Sequence, residues 1–238
     1  MRNGRGDEVK RQPLEITLRM PTNFDFDRWV EHVFDHPVAK PPWYFQIGNE
    51  TWDGEPVLTV QHVTRLFESP EHLLNDYSPE QLEQGLWYLS GEGQPFMQAL
   101  VDESVPWPLR QRGLHAIRMF FEKFFAVACS DELGHLCRTS STPINTACYM
   151  WWDSFPSYGN PLTPSRQEED RTILQIMSGI LDLPSEACRE SALHGLGHWH
   201  VHYPEEVRQI VDEFLGRTPV TSKALWEYAM AARSGCVQ

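Results

Sequence analysis

The chain contains no run close to the roughly 18 consecutive apolar residues that a membrane-crossing helix needs, so no membrane bundle is expected. Its opening stretch, residues 1–12, is charged with no apolar core behind it, which argues against a secretory leader. Cysteine is sparse: five residues, an odd number with no CxxC spacing, point to reduced thiols rather than a disulfide framework. These absences lead us to expect a cytoplasmic protein.

Positive charge is also scarce. Lys plus Arg number 20 against 33 Asp plus Glu, a formal net charge of −13. An acidic body repels phosphate, so neither nucleic acid nor a membrane surface is an expected partner. A basic protein is one, although the same charge can serve only to keep a chain dissolved and monomeric. Catalytic signatures are missing too. There is no glycine-rich phosphate loop, no Gly-x-Ser-x-Gly elbow and no kinase-type catalytic loop. Sustained two-residue alternation is absent, so an all-α chain is expected, with room for a short strand only near Leu14 or Val57.

What is present is apolar spacing at helical period, broken by proline and glycine. Residues 1–20, with Arg2, Arg5, Lys10 and Arg11, are expected to form a flexible basic tail, and residues 21–238 a single all-helical domain. Asn23 is placed to cap a helix whose Phe26, Trp29, Val30 and Val33 make one stripe. Ser78-Pro79-Glu80-Gln81 forms a capping box before Leu82, Leu86 and Leu89. The stretch 109–129, apolar on most sides with Leu114, Ile117, Phe121, Phe124, Phe120, Phe125 and Val127, is expected to be the central helix. Ser165-Arg166-Gln167-Glu168 resembles a second capping box, ahead of Ile173, Ile176, Met177 and Ile180. Ser185 starts a helix with Cys188, Ala192, Leu196 and Trp199 on one side. Pro204 opens the next, with Gly216 as its stop, and Ser222 caps a last helix carrying Leu225, Tyr228, Ala229 and Ala232. The segments 37–56 and 139–164 read mainly as long loops, with a helical piece near 144–152.

An internal echo links Arg-Gln-Arg-Gly-Leu-His-Ala-Ile at 110–117 with Arg-Glu-Ser-Ala-Leu-His-Gly-Leu at 189–196. On these residues, and on the helix pair at 168–183 and 185–199, the C-terminal third resembles a HEAT or armadillo array. That resemblance implies stacked antiparallel helix pairs, irregular in the first half, and a surface for holding another protein.

The histidines are the strongest sign of chemistry. Glu190, His194 and His198 step by four and so form one ridge. Two histidines at that spacing with a carboxylate can bind zinc or iron, although the His-Glu-x-x-His arrangement of zinc proteases is absent. Histidines near a helix end also suit the negative pole of its dipole, the ordinary structural reading. Cys129, His135 and Cys137 make a weaker metal trio, and acid pairs such as Asp25 with Asp27 or Glu168 with Glu169 fit first-turn positions on dipole grounds alone.

Two aromatic segments supply the candidate partner surface: Trp43, Tyr44 and Trp52 with Asp53 and Glu55, and Trp151, Trp152 and Tyr158 with Asp153. Tyrosine and tryptophan are favoured interface anchors, and equally common covers for a core. The combined expectation is a non-enzymatic protein-binding module without a required cofactor, of the profile of bacterial immunity proteins that sequester a basic partner. The alternatives are a metal-dependent enzyme on the Glu/His ridge and a structural subunit of a larger assembly.

Overall fold

The computed structural model describes residues 25–46, 52–91, 94–136, 142–217 and 222–237. The expected tail over 1–20, the Asn23 cap and Cys137 lie outside them. The fold is all-α, with no strand among the described residues. In chain order the helices are α1 (Phe26–Phe34), α2 (Pro56–Glu68), α3 (Leu73–Asp76), α4 (Pro79–Ser90), α5 (Pro95–Ala99), α6 (Trp107–Phe120) and α7 (Ala126–Ala128). Beyond these come α8 (Pro143–Tyr149), α9 (Trp151–Ser154), α10 (Gln167–Ile180), α11 (Glu186–Trp199), α12 (Pro204–Arg217) and α13 (Lys223–Arg233). No helix is long and apolar enough to cross a membrane.

Polar side chains at the starts account for several of these boundaries, because the first turn of a helix has backbone N–H groups without a partner. Asp25, not Asn23, caps α1 by accepting from the Arg28 N–H at 3.0 Å. Ser78 and Gln81 form the expected reciprocal box on α4, with bonds of 3.2 and 3.1 Å. Ser185 and Ser222 cap α11 and α13. The second box is not formed: Pro164–Arg166 is a 3-10 turn, and α10 starts after it with no side-chain cap. Proline at 164 sets the turn before Ser165 can act. Gly216 does not stop α12, which continues through Arg217.

The central helix is α11 rather than the 109–129 stretch. Every residue from Glu190 to Gly197 is buried, and α8, α9, α10, α12 and α13 all pack against α11. Helix α6 keeps Arg112 and His115 in solvent. After it, Phe121–Phe125 forms a π-helical turn, and Val127 is left 66% exposed. A π turn takes an extra residue per turn and rotates the residues beyond it out of phase.

In the first half the main neighbours in space are not successive in sequence, with α1 packed on α4, α2 on α6 and α4 on α8, although α4 also touches α5. From α10 onward successive helices do touch, α10 with α11, α11 with α12 and α12 with α13. No repeat signature is identified. Aromatic side chains fill the interior, with Phe67, Phe120, Phe121, Phe125 and Trp151 in mutual ring contact. Fully burying each such ring contributes on the order of 2–3 kcal/mol of transfer free energy, and the cluster ties α9 to α2, α6 and the π turn.

Candidate metal centre

Two helices bring the candidate site together. On α11, His194 and His198 stand one turn apart, with their rings 4.7 Å apart and nearly perpendicular. The short helix α9 supplies Asp153, directly after Trp151 and Trp152, whose indoles are in the core. Gly195 makes the approach possible: a Cβ there would sit 2.6 Å from Cγ of Trp152 and 2.9 Å from Sδ of Met177. The absent side chain lets α9 close onto α11 and places Asp153 over the two imidazoles.

Four ligand-type atoms of three residues come together, both carboxylate oxygens of Asp153 and the two Nε2 atoms. Asp153 Oδ1 is 2.8 Å from His198 Nε2, Asp153 Oδ2 is 3.1 Å from His194 Nε2, and the two Nε2 atoms are 3.2 Å apart. An ion bound at about 2.1 Å to each would require ligand spacings of about 3.0 Å at a right angle and about 3.4 Å at the tetrahedral angle. The spacings of 3.1 and 3.2 Å fall within that range, and the 2.8 Å one lies just below it. His194 is 2% exposed at its side chain, Asp153 25% and His198 35%, so the triangle is closed on the His194 side and open on the other.

Behind His194 runs a row of hydroxyls. Its Nδ1 is 2.6 Å from Tyr228 Oη, which is 2.9 Å from Tyr149 Oη. Two proton arrangements satisfy this row. With no ion, both Nε2–H groups donate to Asp153, Tyr228 donates to Nδ1, and Tyr149 donates to Tyr228. With an ion on the Nε2 lone pairs, Nδ1–H donates to Tyr228 and Tyr228 donates to Tyr149. Orientation of a metal-ligating imidazole through its second nitrogen is the usual way such sites are built. Burial holds the His194 pKa below the usual histidine range, partly offset by its hydrogen bond to Asp153. The neutral, ligating form is thereby favoured. Burial likewise raises the Tyr149 and Tyr228 phenols, which keeps both as neutral donors.

Glu190, the expected third member of the ridge, is used elsewhere. Its buried carboxylate accepts from the Gly134 N–H at 2.6 Å, the His135 N–H at 3.0 Å and His135 Nδ1. The helical period put Glu190 on the right ridge, but a carboxylate with three donors already on it anchors the 133–136 segment instead. Asp153 takes its place. His135 is held by Glu190 and its ring stacks on Tyr228 at 4.4 Å, so the Cys129/His135/Cys137 trio has no support from the described residues.

The indoles are not surface anchors. Trp43, Trp52, Trp151 and Trp152 are at most 6% exposed, because burying so large an apolar ring outweighs presenting it to solvent. Trp43 stacks on His36 at 3.5 Å, and Trp52 donates from Nε1 to Thr59 at 2.9 Å. The helical piece expected near 144–152 is two helices, α8 and α9, separated at Met150. Of the expected surface set, Asp53, Glu55 and Tyr158 are exposed and Tyr44 is half-buried. Tyr158 donates to the Asp153 carbonyl at 2.9 Å and lines a cleft of about 610 Å³ in which Asp153 also takes part. The other expected acid pairs are structural: Asp27 lies 3.9 Å from Arg65, and Glu169 is paired with Arg110.

The sequence pattern placed Asp153 on the aromatic surface rather than beside the histidines, and did not link Tyr149 to His194 through Tyr228. Tyr228 was legible only as part of an apolar stripe. No family model, curated protein or solved structure matches the chain.

Proposed function

We propose that this protein is an all-helical binding module whose working centre is a divalent transition-metal ion held by Asp153, His194 and His198. The observation that carries the reading is the convergence of one carboxylate and two Nε2 atoms with mutual spacings of 2.8, 3.1 and 3.2 Å. Two imidazoles and a carboxylate suit zinc or ferrous iron better than magnesium or calcium, which prefer all-oxygen shells. Three protein ligands leave at least one coordination position for a ligand from solution. Binding is favoured over turnover because the other carboxylate of the α11 ridge, Glu190, is fully engaged and is not free to act as a base.

Elemental analysis of tag-free protein tests this. Stoichiometric zinc or iron in the wild type, lost in the His194→Ala/His198→Ala variant, is the expected result. Wild-type protein that retains no metal after incubation with zinc or ferrous iron and desalting would overturn it.

A second reading rests on the net charge of −13. It is the sequestration of a basic protein by a stacked-helix module, in the manner of bacterial immunity proteins, with α10 to α13 as the HEAT-like part. Association of this type is steered by charge and slows steeply as salt rises. A partner whose association rate is indifferent to salt would count against it.

A further inference from the structure

Another cavity, of about 380 Å³, is walled by Tyr44, Phe45, Trp87 and Tyr88 and bordered by Gly91 and Gln94. Its volume stands at the small end of the range of about 300–1,000 Å³ that holds an organic ligand. The wall comes from two elements. Trp87 and Tyr88 belong to the last turn of α4, and Tyr44 and Phe45 to the 3-10 turn Trp43–Phe45. Trp43 pins that turn: its indole is buried, stacks on His36 at 3.5 Å and meets the Tyr88 ring at 4.6 Å. With Trp43 turned inward, the next two residues carry their rings to the cavity.

The rings stand at different inclinations. Tyr44 is tilted by 54° to Phe45, 4.7 Å away, and by 28° to Tyr88, 5.5 Å away. Phe45 is 69% exposed, and Tyr44 and Trp87 are half-buried, so ring surface remains for a ligand. The face of an aromatic ring is the negative side of its quadrupole, so several inclined faces around one space favour a cation. The surroundings lean the same way. The chain carries a net charge of −13. Glu83, one helical turn before Trp87, does not line the cavity, yet it adds to the effect of burial in raising the Tyr44 phenol pKa. Lys40 draws the Glu83 carboxyl down by less than burial and Glu80 push it up.

We propose that this cavity binds a small quaternary-ammonium cation, with its methyl groups against Tyr44, Phe45, Trp87 and Tyr88 and a neutral polar end on the Gln94 amide. A trimethylammonium head has no N–H to satisfy and is weakly hydrated, so ring faces can replace its water. A primary ammonium would lose hydrogen bonds that rings cannot return. The amide of Gln94 both donates and accepts, which suits a hydroxyl. The size of the space favours a free small molecule. Neither this site nor the candidate ion depends on the other.

The test titrates the full-length protein by NMR with choline and with 3,3-dimethylbutan-1-ol, which has the same shape and hydroxyl but carbon in place of the charged nitrogen. Choline should bind about tenfold or more tightly than the uncharged alcohol. Phe45→Leu keeps an apolar side chain at an exposed position, where folding is not at stake, and removes one ring face. It should weaken choline about two- to fivefold and leave the alcohol unchanged. Trp87→Leu, checked for folding by its melting curve, should weaken choline by about tenfold. Attraction by net charge alone would survive both substitutions, and that outcome overturns the proposal. So does equal binding of choline and the alcohol, or no choline binding at about 10 mM. A trimethyllysine peptide that binds where choline does not would also overturn it, by making the occupant a protein side chain.

Discussion

Two of the molecule's histidine pairs at a spacing of four have been put to different use. His32 and His36 sit at the end of α1, His194 and His198 at the end of α11, and in both pairs the first histidine meets a tyrosine hydroxyl. His32 Nε2 is 3.0 Å from Tyr88 Oη, and His194 Nδ1 is 2.6 Å from Tyr228 Oη. The decisive difference is which nitrogen the tyrosine takes. At His32 the hydroxyl occupies Nε2, and His36 turns its own Nε2 back to the His32 carbonyl at 2.8 Å while its ring stacks on Trp43. At His194 the hydroxyl takes Nδ1, so Nε2 is left to face His198 and Asp153. The i, i+4 spacing brings two imidazoles together. The partner of the second nitrogen and an acid from another helix decide whether they converge.

The largest effect that separates the pairs is metal-linked stability. At an ion concentration a thousandfold above the dissociation constant, a bound ion stabilises the folded state by about 4 kcal/mol. Zinc titrated into thermal melts should raise the midpoint of wild type and of His32→Ala/His36→Ala alike, and leave Asp153→Ala unmoved. A shift that vanishes with the first pair instead would reverse the assignment.

The next effect belongs to the other pair. Burial, and secondarily His36, lower the His32 pKa from 6.5 to about 4. Between those values the unfolded chain takes up a proton that the folded chain refuses. The stability contributed by neutral His32 is therefore complete above the unfolded pKa and drains away as pH falls towards the folded one. Its full size is on the order of 3 kcal/mol. Urea titrations across this range should show His32→Gln losing less stability than wild type as the pH is lowered. Parallel curves would mean that His32 carries no such burden.

Tyr228→Phe sharpens the comparison within the metal site. It keeps the ring and removes the hydroxyl that orients His194, so zinc affinity should weaken by roughly 10- to 100-fold with stoichiometry preserved. Competition with a chromophoric chelator gives the number, and an unchanged affinity would reduce Tyr228 to packing. The smallest change is expected from His36→Ala. It removes a neighbouring positive charge and opens the cover over His32, and both raise the His32 pKa. An NMR titration of the ring protons should show the midpoint moving up from about 4, by less than full exposure would give.

Much of the fold was legible because apolar spacing reports directly on which face a helix buries. Phe26, Trp29, Val30 and Val33 are buried as their stripe required. The choice of central helix went astray because count was taken for burial. The 109–129 stretch carries more apolar residues, whereas α11 owes its enclosure to small ones such as Ala192 and Gly195 that admit neighbours on every side. Half of the site was readable for the same reason: the period put His194 and His198 on one ridge. Asp153 was not, because it lies 41 positions from His194 and is delivered by the tertiary packing of α9. Glu190 shows the opposite limit, since periodicity gives a direction but says nothing of the donors already waiting there.

The paired phenols of Tyr149 and Tyr228 have a consequence for how the protein can be watched at work. On the proposed reading, an ion held by Asp153, His194 and His198 would invert the polarity of a short proton wire. Occupancy would then be written in the orientation of two O–H bonds, one on α8 and one on α13. Tyrosine vibrational bands, rather than any change of shape, are where filling of the centre would be seen.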